Sequence, residues 1–134
     1  MKKVYPPGAG MIVCRDFGQV GTRILLLKLH NNTWDLPKGR LDAGETMFDC
    51  AVRETFEESN ISNVSFPWGH ICINLENLTF YICSTNDDPK IFPNPVYQIY
   101  EHESAWWVDP NKALILIPEY LKPAIMWAID VLSQ

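Results

Sequence analysis

Three glutamates, Glu54, Glu57 and Glu58, lie at positions i, i+3 and i+4 of a segment with helical periodicity. On a helix this spacing brings three carboxylates to one face within a turn. Such a face suits Mg²⁺ or Mn²⁺, which are hard cations that prefer oxygen ligands. The spacing alone is equally compatible with a solvated acidic face, which is what most runs of charge are. The residues before the helix distinguish the two interpretations.

A fixed pattern links this helix to the loop before it. Gly39 is followed after five residues by Glu45, and Glu45 after seven residues by Arg53 and the run ETFEESNI at residues 54–61. This arrangement resembles the Nudix box, Gly-x5-Glu-x7-Arg-Glu-U-x-Glu-Glu-x-Gly-U, in which U is an aliphatic residue. The fixed positions that match at the required spacing are Gly39, Glu45, Arg53, Glu54, Glu57 and Glu58.

Two positions depart from the box. Thr55 replaces its first aliphatic residue, and Asn60 replaces its last glycine. Threonine can pack through its methyl group. Asparagine is the best residue after glycine for the left-handed conformation that ends many helices, so we expect the turn to be kept.

The resemblance implies the Nudix fold, an α+β architecture in which a mixed β-sheet is sandwiched between α-helices, as a single domain over residues 1–134. It also implies hydrolysis of a nucleoside diphosphate linked to another group. By the same similarity, four residues of the box hold a divalent metal ion, Mg²⁺ or Mn²⁺: Gly39, Glu54, Glu57 and Glu58. Glu54 is alternatively the base that activates water. Arg53 would orient the glutamates, and Glu45 would support the loop or a second metal shell.

The segment leading into the box carries a candidate phosphate ligand. Residues 34–39 read WDLPKG, and Lys38 directly precedes the turn toward the acidic helix. This element resembles the family's Pro-Lys-Gly element, which implies that Lys38 binds substrate phosphate and contributes to catalysis. The alternative is a surface lysine in a turn.

Further features resemble the diadenosine-tetraphosphate hydrolase branch of the family. The pair Glu101 and His102, followed by Trp107, implies that Glu101 is an additional metal ligand and that His102 orients it or touches a phosphate. Tyr81 lies at about the position where this branch stacks a base, and Tyr120 lies near a second such position. For each tyrosine, packing in the core or at its rim is the alternative.

We therefore expect metal-dependent hydrolysis of a dinucleoside polyphosphate, with diadenosine tetraphosphate yielding ATP and AMP. Leu36 stands where that branch often has proline, so two further nucleotide substrates stay open: an RNA 5′ end, by pyrophosphate removal or decapping, and a nucleoside triphosphate. An RNA groove would need basic and aromatic residues together, and only Lys90 lies near the aromatic loop. A non-enzymatic binding module is disfavoured, because such modules usually lose box glutamates. Specificity is expected to reside mainly in the loop Asn86–Tyr100.

The elements that must position these residues follow an α+β pattern. Hydrophobic periodicity and breaker residues predict strands, one polar helix and a helical C-terminal part. The predicted elements are strands at Met11–Arg15 and Arg23–His30, a loop at 31–44, a helix at Thr46–Ser59 capped by Thr46, a hairpin of Val64–Leu75 and Leu78–Ser84, a strand at Ala105–Val108, and helices starting at Asp109-Pro110 and Lys122-Pro123.

Composition excludes several kinds of partner. The chain has 134 residues, 47% of them hydrophobic, and a net charge of −5. No apolar run approaches the ~20 residues of a membrane-spanning helix. The acidic balance argues against duplex DNA and anionic membranes, whereas a metal ion would reverse the sign locally for an anionic substrate. Cys14, Cys50, Cys72 and Cys83 form no CxxC pair and are interpreted as reduced core thiols of a cytoplasmic protein.

Overall fold

The computed structural model describes residues 7–91 and 101–134. The strands of this part of the chain are β1 (Gly8–Asp16), β2 (Thr22–Leu29), β3 (Trp34–Asp35), β4 (Lys38–Arg40), β5 (Val64–Ser65), β6 (Cys72–Asn74), β7 (Leu78–Thr85) and β8 (His102–Val108). The helices are α1 (Met47–Ser59), α2 (Pro110–Leu116) and α3 (Lys122–Leu132), with short 3-10 turns at Gly18–Val20 and Glu119–Leu121. Over these residues the structure contains no helix with the length and apolarity needed to cross a bilayer.

Strand β1 is the centre of a mixed sheet. It pairs in parallel with β7 and antiparallel with β2 and β4. The strand order is β3-β2-β1-β7-β5, with β8 added to β2 and β6 added to β7. The mixed sheet predicted from the sequence is confirmed.

Each face of the sheet carries its own core. Side chains alternate along a strand with period 2, so Met11 and Val13 of β1 pack with Cys50 of α1. Ile12 of the same strand packs with Ile125 of α3 on the other face. Helix α1 therefore covers one face and the C-terminal helices cover the other, which confirms the predicted sandwich.

Several boundaries differ from the prediction. The expected loop at 31–44 contains β3 and β4, and the first hairpin strand is split into β5 and β6 around residues 66–71. Strands of two or three residues form because a neighbouring strand pairs with them. Such pairing leaves no signal in the hydrophobic periodicity of the sequence. Cys72 is exposed rather than buried, whereas the other three cysteines are buried and all four are free thiols.

Candidate active site

Helix α1 begins and ends as the box predicts. The Thr46 hydroxyl accepts a hydrogen bond from the Asp49 N–H at 3.1 Å, which caps the first turn. Asn60 ends the helix in the left-handed region, with φ 62° and ψ 16°. Thr55 is 2% exposed, and its hydroxyl donates to the Ala51 carbonyl at 2.7 Å. Both departures from the box therefore preserve the helix.

Strand β4 passes close to the Glu54 carboxylate of α1. A Cβ atom at Gly39 would lie 2.0–2.2 Å from the carboxylate atoms of Glu54. Glycine therefore permits this close approach, and a larger residue would displace the carboxylate. The Cys50 thiol lies 3.6 Å from the Gly39 carbonyl and 3.5 Å from the Arg40 carbonyl, and so links the same strand to α1.

Arg53 connects the loop to the glutamates of the helix. Its Nε and Nη2 atoms donate to the two carboxylate oxygens of Glu45 at 2.8 and 3.0 Å. Its Nη1 atom donates to Glu54 at 2.8 Å and to Glu57 at 3.1 Å. A planar guanidinium suits such a fork of contacts. These are the contacts that an orienting role requires.

The same arginine favours the ionised form of Glu45. Its hydrogen bond lowers the pKa of Glu45 to about 2, and Glu45 in turn accepts the Asp42 N–H at 3.1 Å, which closes the loop. The pKa of Arg53 is raised, chiefly by Glu45. Burial raises the pKa of Glu54 and outweighs the opposing effect of Arg53. Glu54 therefore holds a proton more readily than a free glutamate.

Glu58 has different surroundings from Glu54 and Glu57. Its Oε1 atom accepts the Lys38 N–H at 2.9 Å. Burial, reinforced by the negative charge of Glu101, raises the pKa of Glu58 to about 9. Ligand atoms of Glu58, Glu101 and His102 all lie within 4.8 Å of one another. Glu54 and Glu57 of α1 thus contact Arg53. Glu58 instead forms an acidic cluster with Glu101 and His102.

A β-bulge brings β8 to the cluster. Lys28 pairs with Ser104 and Leu29 pairs with His102, so Glu103 is an extra residue in the ladder. A bulge re-aims the side chains beside it, which turns His102 to the face that α1 covers. Glu101 immediately precedes the strand.

The acidic cluster fits a divalent cation. Its carboxylate oxygens are the donors that Mg²⁺ and Mn²⁺ prefer. A carboxyl group whose pKa is raised to about 9 is costly to ionise without a neighbouring positive charge, and a cation would remove that cost. The cluster includes Glu58 and Glu101 of the predicted ligands, whereas Glu54 and Glu57 lie on Arg53.

Asp35 is a site residue that the sequence analysis missed. It is 8% exposed, forms a 3.0 Å ion pair with the Lys38 ammonium group and lies 3.5 Å from Nε2 of His102. Burial acts to raise the pKa of Asp35, but the His102 hydrogen bond and the Lys38 charge lower it overall. Burial acts to lower the pKa of Lys38, but Asp35 raises it overall. The Asp-x-x-Lys spacing before the box was the available signal.

This network changes the interpretation of His102. The ring is 3% exposed and lies between Asp35 and the cluster with Glu101. Of its two predicted roles, the structure favours orientation of neighbouring groups over contact with substrate phosphate, because so little of the ring is accessible.

A cleft of about 700 Å³ adjoins the site, and its lining residues are Lys38, Leu75, Glu76, Asn77, Leu78, Tyr120 and Pro123. Lys38 lines this cleft, and its backbone N–H also donates to Glu58. Tyr120 is 58% exposed on the cleft wall. The structure thus brings one predicted stacking tyrosine to the site.

Tyr81 does not lie in this cleft. Its ring packs edge-on against Phe48 of α1, with ring centroids 5.2 Å apart. Phe80 and Ile82 face the other core, so alternation along β7 directs Tyr81 to the α1 side. The structure therefore favours the packing alternative for Tyr81. Residues 92–100, which include much of the predicted specificity loop, lie outside the described residues.

Comparisons with family models and curated sequences give several matches to this chain. A family model of the NUDIX domain matches residues 4–128. An RNA pyrophosphohydrolase of Ruthia magnifica subsp. Calyptogena magnifica is 26% identical over 140 residues, which cover 89% of this chain and 76% of the relative. An asymmetrical bis(5′-nucleosyl)-tetraphosphatase of Caenorhabditis elegans is 24% identical over 116 residues, which cover 79% of this chain and 80% of the relative.

Structural comparison gives the same fold. The crystal structure of a C. elegans Ap4A hydrolase binary complex matches with a TM-score of 0.74 at 22% identity, covering 94% of this chain and 98% of that chain. Several further curated relatives match only over 54–58 residues, which are 24–36% of their own length. These short matches show sequence similarity over only part of each relative. They carry no conclusion about the activity of the whole protein.

Proposed function

The chain belongs to the Nudix family of hydrolases, and we propose that within it the protein hydrolyses a dinucleoside polyphosphate, with diadenosine tetraphosphate yielding ATP and AMP. Members of this family are pyrophosphohydrolases that use divalent metal ions and act on nucleotides.

The cleft that Lys38 lines is the observation that carries the proposal. Its volume of about 700 Å³ lies within the ~300–1,000 Å³ of sites that enclose drug-sized ligands. This is more room than a phosphate chain alone requires. Tyr120 on its wall offers a ring for a base, and stacking of this kind is worth about 1–3 kcal/mol per base.

The chain's residues can divide the reaction among them. A divalent ion at Glu58 and Glu101 would neutralise phosphate charge and lower the pKa of water. The Lys38 ammonium group, held by Asp35 at 3.0 Å, would donate to a phosphate oxygen. Glu54, oriented by Arg53 at 2.8 Å and with a raised pKa, would accept the proton of the attacking water.

The test compares substrates under identical conditions. Dinucleoside polyphosphates, triphosphorylated RNA, capped RNA and nucleoside triphosphates are assayed for kcat/KM with Mg²⁺ and with Mn²⁺. We expect diadenosine tetraphosphate to be the best substrate, with ATP and AMP as products. Reaction in ¹⁸O-labelled water should label only one product, because a single phosphorus atom is attacked. Formation of two ADP molecules, or faster turnover of triphosphorylated RNA, would contradict the proposal.

A second candidate is removal of pyrophosphate from an RNA 5′ end. The relative named RNA pyrophosphohydrolase, which covers 89% of this chain, supports it. The phosphate chemistry at Lys38, Glu54 and Glu58 would be the same. Release of pyrophosphate from 5′-triphosphorylated RNA, at a kcat/KM above that of every dinucleoside polyphosphate, would favour this candidate.

A further inference from the structure

A second concave surface lies outside the proposed active site. It encloses about 370 Å³, and we call it the tryptophan groove after Trp34 and Trp106 in its lining. Three basic residues, Arg23, Lys28 and Lys112, line it as well. These five residues come from β2, β3, β8 and α2, so their combination forms no continuous sequence motif.

The sheet separates this groove from the acidic cluster. Trp106 lies opposite Leu26 on the neighbouring strand, and Asp35 lies opposite Leu27. Leu26 packs with the core under α3, whereas Leu27 packs with the core under α1. Directly paired residues share a face, so the Trp106 ring and the acidic residues lie on opposite faces.

The ring of Trp106 is both accessible and fixed. Its side chain is 53% exposed, and its Nε1 atom donates to the Ser104 hydroxyl at 2.8 Å. Trp34 meets it edge-on, with ring centroids 6.5 Å apart and an interplanar angle of 75°. A ring held in this way loses little conformational freedom on binding, which is an advantage for a stacking surface.

The basic residues of the groove are available to an anion. Within residues 7–91 and 101–134, the ion pairs and side-chain hydrogen bonds of the structure include none from Arg23, Lys28 or Lys112. Asp109 also lines the groove, but its carboxylate accepts N–H groups at the start of α2. The lining therefore carries three positive charges and one negative charge around an exposed ring, in a chain of net charge −5.

We propose that the tryptophan groove binds single-stranded nucleic acid, with a base stacked on Trp106 and the adjoining phosphates paired with Lys28, Lys112 and Arg23. Single-strand-binding surfaces combine these two elements, an aromatic platform and a cationic track. A duplex would keep its bases stacked on each other and could use only the cations. The proposal goes beyond the proposed function, because it concerns a separate surface and does not require the strand to be hydrolysed.

Binding is tested with the full chain and a fluorescein-labelled RNA of ten nucleotides with a 5′-hydroxyl group, in buffer without divalent metal. Such an oligomer carries no pyrophosphate bond for the acidic site. Fluorescence anisotropy gives the Kd over a range of salt concentrations. Three phosphate contacts to a single strand predict a slope of about −2 for the logarithm of the association constant against that of salt.

Two variants and one matched control locate the bound strand. Trp106→Ala should weaken binding roughly 5- to 150-fold, the range for losing one base stack, and Trp106→Phe should retain most of it. Lys112→Gln should reduce the salt slope by about 0.7. Lys90→Gln makes the same charge change at an exposed position outside the groove and should change neither quantity. Retained melting temperatures show that each variant is folded.

The results separate this proposal from the proposed function. The kcat/KM for diadenosine tetraphosphate should be unchanged in Lys112→Gln, and binding of the oligomer should not depend on that activity. A single-stranded DNA of equal length that binds comparably, or somewhat less tightly, supports contact through bases and phosphates. Absence of binding at low salt, equal binding of a duplex, no effect of Trp106→Ala, or equal weakening by Lys90→Gln would overturn the proposal.

Discussion

Adjacent glutamates of one helix meet different environments at the scale of single residues. Glu57 is 52% exposed at its side chain and contacts Arg53, whereas Glu58 is half-buried and accepts a backbone N–H from Lys38. Burial raises the pKa of Glu58 to about 9, so this carboxyl group ionises less readily than a free glutamate. That difference makes Glu58 the residue on which a cation would act most strongly.

Replacing Glu58 tests the proposed metal site directly. Glu58→Gln keeps the shape of the side chain and removes its charge, so we expect the protein to fold and kcat to fall by about 100-fold or more, since losing even a partner of a metal ligand costs ~10–100-fold. Steady-state kinetics with Mg²⁺ measure the loss. Asp130→Asn removes one negative charge from an exposed position on α3 and should leave kcat unchanged. Near-normal turnover of Glu58→Gln would refute the assignment.

The raised pKa of Glu58 links protons to metal binding. Below its ordinary pKa of 4.5 this group is protonated in both folded and unfolded chains, and between 4.5 and about 9 only the folded chain retains the proton. Raising the pH through this window should therefore lower the stability of the metal-free protein. Binding of a divalent ion displaces the proton, so its affinity should rise by about tenfold per pH unit.

Calorimetry measures that linkage. Titration of Mn²⁺ at pH 7 in two buffers of different ionisation enthalpy should report release of about one proton per ion. Glu58→Gln should release none. The same proton release from both proteins would assign the linkage to another group.

Lys38 is coupled to Asp35, and a pair of variants separates its two effects. Lys38→Met removes a phosphate donor and leaves the Asp35 carboxylate, 12% exposed, without its cation. We expect kcat/KM and the melting temperature both to fall, since an uncompensated buried charge is destabilising. Adding Asp35→Asn should restore the melting temperature but not kcat/KM. Recovery of both would mean that Lys38 acts only on stability.

Local sequence explains some elements of the fold better than others. Helix α1 was predictable because its start at Thr46 and its end at Asn60 are set by residues within the segment. Strands β3 and β4 were not, because they exist through pairing with β2 and β1. The face occupied by Tyr81 was also hidden. The alternation of side chains along β7 shows that Tyr81 and Phe80 lie on opposite faces of the sheet. It does not show which face carries the cleft.

Close packing between β4 and α1 gives a prediction at the scale of elements. Gly39→Ala would place a methyl group against the Glu54 carboxylate, so that carboxylate must shift from the position in which it accepts a hydrogen bond from Arg53 at 2.8 Å. We expect lower stability and a large loss of kcat. Thermal unfolding of Gly39→Ala, Glu54→Ala and the double variant forms a cycle. The double variant should be more stable than additivity predicts, and strict additivity would show that the two groups do not collide.

The site as a whole is assembled from distant parts of the chain. The contact between the Lys38 N–H and Glu58 spans 20 residues, and that between Asp35 and His102 spans 67. Spacing along the sequence could predict the three glutamates of one helix, and family resemblance pointed to Glu101. The role of Asp35 depends on contacts that only the folded chain creates, and so does the clustering of the groove cations.

A divalent ion at the acidic cluster would join α1 to the start of β8, so its effect should be visible in the stability of the whole molecule. At a concentration about 100 times its Kd, an ion that binds only the folded chain stabilises it by about 2.7 kcal/mol. For a domain of this size that corresponds to a rise in melting temperature of about 10 °C. Differential scanning calorimetry with and without Mn²⁺ measures the shift.

Glu101→Gln should remove most of it, because Glu101 is one of the three residues of the cluster. Glu103→Gln is the matched control, since Glu103 is also exposed and is not among those residues. A shift that survives in Glu101→Gln but is lost in Glu103→Gln would place the ion elsewhere, and an unchanged melting temperature in the wild-type protein would mean that metal does not join these two elements.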